Sequence, residues 1–236
     1  LGRFSPDLDI VVRDDPEAVA RELAARLRSP WFPLSTRHGA YRVMAAGGHV
    51  DVAAMRGHAI EDDLARRDFT VNAMAVSLAG GGLVDPFHGR DHLRAGLLAA
   101  VSDHVFRDDP LRLMRAVRFS HILGMRFDPA LEMLLRAEVP LVTRAAGERI
   151  TTELVLTLAH GPVAPALCLW DDLGLLASIL PEVGHLAGHS DFERLDRLMA
   201  APQVILPPPW REVLAQRLDL PVDGGFSRAV ALRLAM

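Results

Sequence analysis

Apolar and polar positions follow one rhythm in the first third of the chain and another in the rest, with the change near His88. In Asp7-Leu8-Asp9-Ile10-Val11-Val12 the period is two, which predicts a strand with Asp7 and Asp9 on one face and Leu8, Ile10 and Val12 turned into a core. A helix is expected from Pro16, a good first-turn residue, to Leu27. Tyr41 to Ala45 and His49 to Met55 flank Gly47-Gly48, and Val71 to Leu78 and Leu83 to Asp85 flank Gly80-Gly81-Gly82; both patterns predict strands joined by tight turns. The upstream module is therefore a small, largely antiparallel sheet with helices. Downstream, Asp109 to Leu123, Pro129 to Ala137, Gly147 to His160 and Val163 to Leu173 carry apolar residues at helical spacing between Gly, Pro and Asp breakers. Gln203 to Trp210, with three consecutive prolines, predicts a linker or bend, and Ala229 to Met236 a further helical run. The order, an α/β module followed by helices, is that of an α+β chain.

Composition narrows this picture. Of 236 residues, 50% are apolar, enough for a substantial core. No run approaches a membrane span and the first residues lack the order of a secretory signal, so the expectation is a cytoplasmic protein with no membrane partner. Cys168 is the only cysteine, which excludes an internal disulfide and a cysteine-rich zinc site; its apolar neighbours predict packing. A net charge of -4 does not announce a nucleic-acid binder, so any RNA site must be local. All the basic residues are arginine, and Asn72 is the only asparagine.

Two carboxylates on one strand face repel unless a cation sits between them, and an all-oxygen donor set suits Mg2+. Asp7 and Asp9 are thus candidate metal ligands, although the same spacing also fits a solvated edge. Asp51, between Val50 and Val52, is placed to complete a three-carboxylate cluster as general base or further ligand. Such a site supports in-line phosphoryl transfer. Asp109-Pro110 predicts a helix start with Asp109 as cap, after which Arg112, Arg115 and Arg118 recur every three residues. No acid interrupts Arg112 to Phe119, which predicts a cationic ridge.

Three longer blocks follow Asp7-Leu8-Asp9 in order: Glu61-Asp62-Asp63-Leu64-Ala65-Arg66-Arg67-Asp68-Phe69-Thr70-Val71-Asn72, then Leu83-Val84-Asp85-Pro86-Phe87-His88-Gly89, then Asp108-Asp109-Pro110-Leu111-Arg112-Leu113-Met114-Arg115-Ala116-Val117-Arg118. Together they resemble the class II tRNA nucleotidyltransferase and bacterial poly(A) polymerase family, over roughly Leu1 to Pro181. The resemblance implies an α+β fold with a polymerase-β-like nucleotidyltransferase head and small mixed sheet over residues 1–95. An all-α neck with the base-binding helix is implied over 96–185, and the start of a helical body over 186–236. It implies addition of CMP or AMP from CTP or ATP to an RNA 3′ end, most readily the tRNA CCA end, with Mg2+ as cofactor. Poly(A) addition, or CC- or A-addition alone, shares these motifs.

By the same resemblance, Asp109 and Arg112 read the incoming base: an acid accepts from an exocyclic amine while a guanidinium donates to ring nitrogen or carbonyl oxygen. Arg67, Arg115 and Arg118 match nucleotide-holding arginines, Asp68 and Asn72 match orienting residues, and Gly147-Glu148-Arg149-Ile150 and Leu175 to Pro181 match neck segments whose role is packing. Relatives carry a Gly-Gly-x-Val-Arg-Asp loop just before the paired acids, whereas the sequence starts at Leu1-Gly2-Arg3, past that point. The triphosphate contacts of that loop are expected to be missing, which leaves a catalytically inactive RNA-binding fragment as the reading from another class. Only Gly57, His58 and Ala59 separate Arg56 from Ile60, where many relatives have a longer loop that CC-adding members largely lack.

Overall fold

The computed structural model describes residues 6–181 and 188–200. Two compact units form, one from Leu1–Arg66 with Ala75–Val84 and the other from Arg67–Met74 with Asp85–Met236. The expected linker at Gln203 to Trp210 and helical run at Ala229 to Met236 lie outside the described residues.

The first unit is built on β1 (Asp7–Val12), α1 (Pro16–Leu27), β2 (Trp31–Ser35), β3 (Ala40–Ala45) and β4 (Gly48–Ala54). The strands form one mixed sheet in the order β1-β4-β3-β2, with β1 parallel to β4 and the other pairs antiparallel. Asp15 caps α1, its carboxylate accepting from the Ala18 N–H at 2.9 Å, and Pro16 follows without a donor to lose. One sheet face is apolar: Ile10, Val12, Tyr41, Val43, Val50 and Val52 form a core with Ala20 and Ala24 of α1. Two alanines at this spacing let the helix lie close against the pleat.

Strand β2 was not expected, since Pro33 removes a ladder donor; it survives because it is the edge strand, where that donor is dispensable. The expectation that Leu8 enters the core is corrected. Leu8 is 54% exposed, at the start of β1, which is an edge strand of the sheet. A short helix, α2 (Ile60–Leu64), and the two-residue strands β5 (Ala75–Val76) and β6 (Leu83–Val84) complete the unit.

The strand expected from Val71 is also shorter than its pattern. Thr70–Asn72 is a 3-10 turn of the second unit, and only Ala75–Val76 pairs, with Leu83–Val84. The second unit continues through α3 (Gly89–Ala95), β7 (Leu97–Leu98), α4 (Val105–Asp108), α5 (Arg112–Leu123), β8 (Arg126–Phe127) and α6 (Pro129–Glu138). It then runs through α7 (Gly147–Leu158), α8 (Ala164–Asp172), α9 (Leu175–Ile179) and α10 (His189–Ala200). Its core joins Phe69, Phe106, Leu113, Met114, Val117, Leu135, Leu154, Leu158 and Trp170, all buried. Cys168 is partly buried against that core, and burial pushes its thiol above the usual value.

Candidate active site

The sheet face opposite α1 is polar, and strand register decides what meets there. Asp7 is opposite His49 and Asp9 opposite Asp51 across the parallel β1–β4 pair; Arg42 of β3 is opposite Asp51 on its other side. Side chains in register project from the same face, so the three predicted carboxylates share one surface. They do not converge on one point, and among the described residues no three acidic, histidine or cysteine side chains form a ready metal cluster. Asp51 is engaged elsewhere: Arg42 Nε and Nη2 donate to its two oxygens, each at 2.7 Å. His49 Nδ1 lies 3.2 Å from Asp7 Oδ1. Asp7 and Asp9 are exposed. The site offers two carboxylates on one strand with a third held beside them by an arginine.

Below this sheet in sequence, the connection from Arg56 to Ile60 is a hydrogen-bonded turn. The Arg56 N–H donates to Asp63 at 3.1 Å, and the His58 and Ala59 N–H groups donate to Asp62 Oδ2 at 2.8 and 3.0 Å. Those two bonds draw the Asp62 carboxyl below its ordinary range. Gly57 adopts φ 111°, and a Cβ there would stand 2.4 Å from Asp62 Cβ, so the turn requires glycine.

In the second unit, Asp68 is the hub. It is 6% exposed, and its carboxylate accepts four hydrogen bonds. The Phe69 N–H (2.8 Å) and Asn72 Nδ2 (3.0 Å) donate to Oδ1; Arg115 Nε (2.9 Å) and Nη2 (2.7 Å) donate to Oδ2. Burial alone would push its pKa up, but the Arg115 charge and the hydrogen bonds from Asn72, Arg115 and Phe69 outweigh it, and the carboxyl lies below its usual range. Asp68 and Asn72, expected as orienting residues, are thus in direct contact.

The Asp85-Pro86-Phe87-His88-Gly89 block explains how this segment is held. Asp85 caps α3, accepting from the Gly89 and Arg90 N–H groups at 2.7 and 2.9 Å. Gly89 lies against the 3-10 turn so closely that a Cβ would stand 2.1 Å from the Thr70 carbonyl oxygen. His92 of the same helix reaches Thr70 Oγ1 at 3.0 Å.

Helix α5 begins at Arg112, two residues later than the expected first turn at Pro110. Asp109 nevertheless has extended backbone and accepts from the Leu111 N–H at 3.2 Å, a local cap for the entering turn. The expected cationic ridge is corrected. Arg115 and Arg118 are neutralised by acids from distant segments: Asp68, and Glu153 of α7, which is 5% exposed. Arg118 Nε donates to Glu153 Oε2 at 2.6 Å, and Arg115 Nη1 reaches Oε1 at 3.5 Å. Both guanidinium groups also lie over the Phe119 ring, 5.2 and 4.6 Å from its centre. Arg112 Nη1 donates to the Val105 carbonyl at 3.3 Å, and Arg67 is half-buried on the segment just before Asp68.

Three side chains that pair with the candidate site residues escaped the sequence reading. Arg149, expected only to pack, grips Asp109 with both terminal nitrogens, at 3.2 and 2.8 Å. Glu153 and Arg42 were not singled out at all. Glu153 did leave a trace, standing with Leu154, Thr157 and Leu158 on the buried stripe of α7, where an acid needs a partner.

A mixed four-stranded sheet backed by a helix, with paired aspartates on its first strand and a helical unit following in sequence, is the fold of a polymerase-β-like nucleotidyltransferase head. The family model of the poly(A) polymerase head domain matches residues 57–99, and that of the probable RNA- and SrmB-binding site of polymerase A matches 124–186. A CC-adding tRNA nucleotidyltransferase of Geobacter sulfurreducens is 41% identical over 164 residues, 68% of this chain and 38% of that protein. An A-adding tRNA nucleotidyltransferase of Deinococcus radiodurans is 38% identical over 190 residues, 77% of this chain and 43% of that protein. The crystal structure of a tRNA nucleotidyltransferase complexed with a primer tRNA and an incoming ATP analogue superposes with a TM-score of 0.77 at 26% identity, covering 99% of this chain and 66% of that one. The chain belongs to the tRNA nucleotidyltransferase and poly(A) polymerase family, and it spans less than half the length of the two relatives just named.

Proposed function

We propose that this chain is the catalytic portion of an enzyme that adds CMP or AMP from CTP or ATP to the 3′ end of tRNA, releasing pyrophosphate. The observation that carries this reading is the Asp68–Asn72–Arg115 hub, which ties the Arg67-Asp68 block to the Asp109–Arg118 block as one hydrogen-bonded assembly. Asp109 and Arg112 are the base-reading pair. Oδ1 of Asp109 accepts from both Arg149 and the Leu111 N–H, while Oδ2 accepts from Arg149 alone and keeps a second lone pair, so the carboxylate is oriented yet still able to accept from an exocyclic amine through Oδ2. Arg115 and Arg118 serve here first by fixing helix α5, and so the base-reading end of it, against Asp68 and Glu153; Arg67 is the arginine assigned to the sugar or triphosphate.

Family members work with a divalent metal, and we take it to be Mg2+. The residues fit such an ion: Asp7 and Asp9 are exposed oxygen donors on one face, and Mg2+ ordinarily takes only one or two carboxylates and completes its shell with water and phosphate oxygens. When bound, the ion stabilises charge on the reacting phosphate oxygens. Asp51, opposite Asp9 in register, is the group we assign to take the proton of the attacking hydroxyl. No described helix is long and apolar enough to cross a membrane, and action on tRNA in the cytoplasm accords with that.

The test is incubation of the full-length protein with tRNA lacking its CCA end, Mg2+ and each nucleotide in turn. Stepwise addition that Asp9→Asn abolishes is expected; no incorporation would sink the enzyme reading in favour of an inactive RNA-binding fragment, and unlimited A addition would favour a poly(A) polymerase. A narrower reading, CC addition only, is favoured by the short Arg56–Ile60 turn pinned by Asp62 and Asp63. It predicts that addition stops after two C residues.

A further inference from the structure

The polar sheet face contains one feature that the assigned roles leave unused. Asp9, Asp51 and Arg42 form a single row across β1, β4 and β3, each opposite the next in register. Two neighbouring carboxylates followed by an arginine make an asymmetric row, because the guanidinium can reach only the acid beside it. Arg42 does so with a two-pronged fork, Nε to Oδ1 and Nη2 to Oδ2, both at 2.7 Å. The pair is half-buried, with side-chain exposures of 31% and 23%, so water screens it less than a surface pair. Asp7 and Asp9 also act electrostatically on the Arg42 guanidinium.

Two consequences follow from charge and geometry. The fork draws the Asp51 carboxylate toward β3, away from Asp9, and fixes its orientation, since an arginine–carboxylate fork is planar and directional. It also places one positive charge beside a face that otherwise carries three negative ones, which lowers the attraction of that face for any further cation.

We propose that Arg42 is a positioning residue that holds Asp51 back from the ion and weakens divalent-cation binding by the Asp7 and Asp9 pair, so that the ion is held more loosely until nucleotide phosphates add their oxygens. This rests on the reading of Asp7 and Asp9 as metal ligands. Its consequence is a gain of binding on mutation, which structural damage does not mimic. A unit charge and a divalent ion roughly 8 Å apart in a water-like medium differ in binding by about fivefold, and the effect shrinks as salt is added.

The experiment measures Mn2+ binding to the full chain by electron paramagnetic resonance, without nucleotide and at low ionic strength. In Arg42→Gln the ion is expected to bind about fivefold more tightly, with the gain reduced at higher salt, while Arg42→Lys keeps the charge and stays close to the unmodified protein. Asp9→Asn in the Arg42→Gln background removes the gained binding. Equal or weaker binding in Arg42→Gln, with Asp9-dependent binding present in the unmodified protein, overturns the role of Arg42 alone. Binding that Asp9→Asn does not change, or no binding in any variant, overturns the metal reading of Asp7 and Asp9 and the proposal with it.

Discussion

Replacing Arg115 with methionine tests whether the charge network under helix α5 is structural. Methionine keeps much of the packed stem and removes the guanidinium, so Asp68 loses the two donors on Oδ2 and retains only those from Phe69 and Asn72 on Oδ1. Removing one partner of a buried pair costs about 3–5 kcal/mol. Two features bring this case below that range, to about 2 kcal/mol: Arg115 is 31% exposed, so the pair is partly hydrated, and Glu153 keeps Arg118. Loss of the contact over Phe119 adds about 0.5 kcal/mol. The expected destabilisation at pH 7 is about 2–3 kcal/mol, which for a unit of this size lowers the melting temperature by roughly 4–12 °C.

The pH dependence has a definite sign. In the unmodified protein the Asp68 carboxyl lies below its ordinary value, so its contribution is present above the unfolded pKa near 4 and is lost as pH falls through the folded value. In Arg115→Met the burial that already opposes ionisation is no longer outweighed, and the carboxyl moves up. A raised carboxyl favours the fold more as pH falls, so the stability gap between the two proteins narrows from pH 7 toward pH 4. Urea titration followed by Trp170, fully buried in the same unit, reads this directly in a background with Trp31→Phe and Trp210→Phe. Asp68→Asn in the same background closes a double-mutant cycle with expected coupling of at least about 1 kcal/mol. A loss under about 1 kcal/mol with a gap independent of pH refutes the argument.

Arg112→Ala should disturb selection among the four nucleotides more than it weakens RNA binding, and competition between CTP, ATP and UTP in single-turnover extension measures it; unchanged preference refutes the base-reading role. Arg149→Ala frees the Asp109 carboxylate and should relax the same preference by roughly tenfold, equivalent to about 1.4 kcal/mol for a hydrogen bond to a charged group, while Arg149→Lys restores it only in part because the fork is lost. Gly89→Ala drives a methyl group onto the Thr70 carbonyl, and overpacking of this kind costs about 1–3 kcal/mol; thermal melting checks it, and an unchanged melting temperature would show that the 3-10 turn yields freely.

What the sequence disclosed and what it withheld divide along a physical line. Local grammar was legible. The bounds of α1 follow from Asp15, Pro16 and the apolar spacing behind them, and the strand at Asp7–Val12 from its period of two. The strand at Trp31–Ser35 was hidden because Pro33 is forbidden in a central strand and harmless only at an edge, and edge position is a property of the sheet rather than of the segment. Leu8 failed for a related reason: alternation tells which way a side chain points, not whether its strand lies at the edge of the sheet.

The same line runs through the candidate site. The candidate site residues, Asp68 and Asn72 among them, were visible as motifs, but most of the pairings that orient them were not, since those partners are supplied from distant segments. Glu153 stands 38 residues from Arg115, Arg149 stands 40 from Asp109, and Asp68 stands 47 from Arg115. An uninterrupted run of arginines on one helix predicts a positive ridge only if nothing acidic is folded beneath it. A charged residue on a buried stripe, such as Glu153 on α7, is therefore the more reliable sign: it cannot stay there unpaired, and so it announces that some cationic side chain elsewhere in the chain is already spoken for.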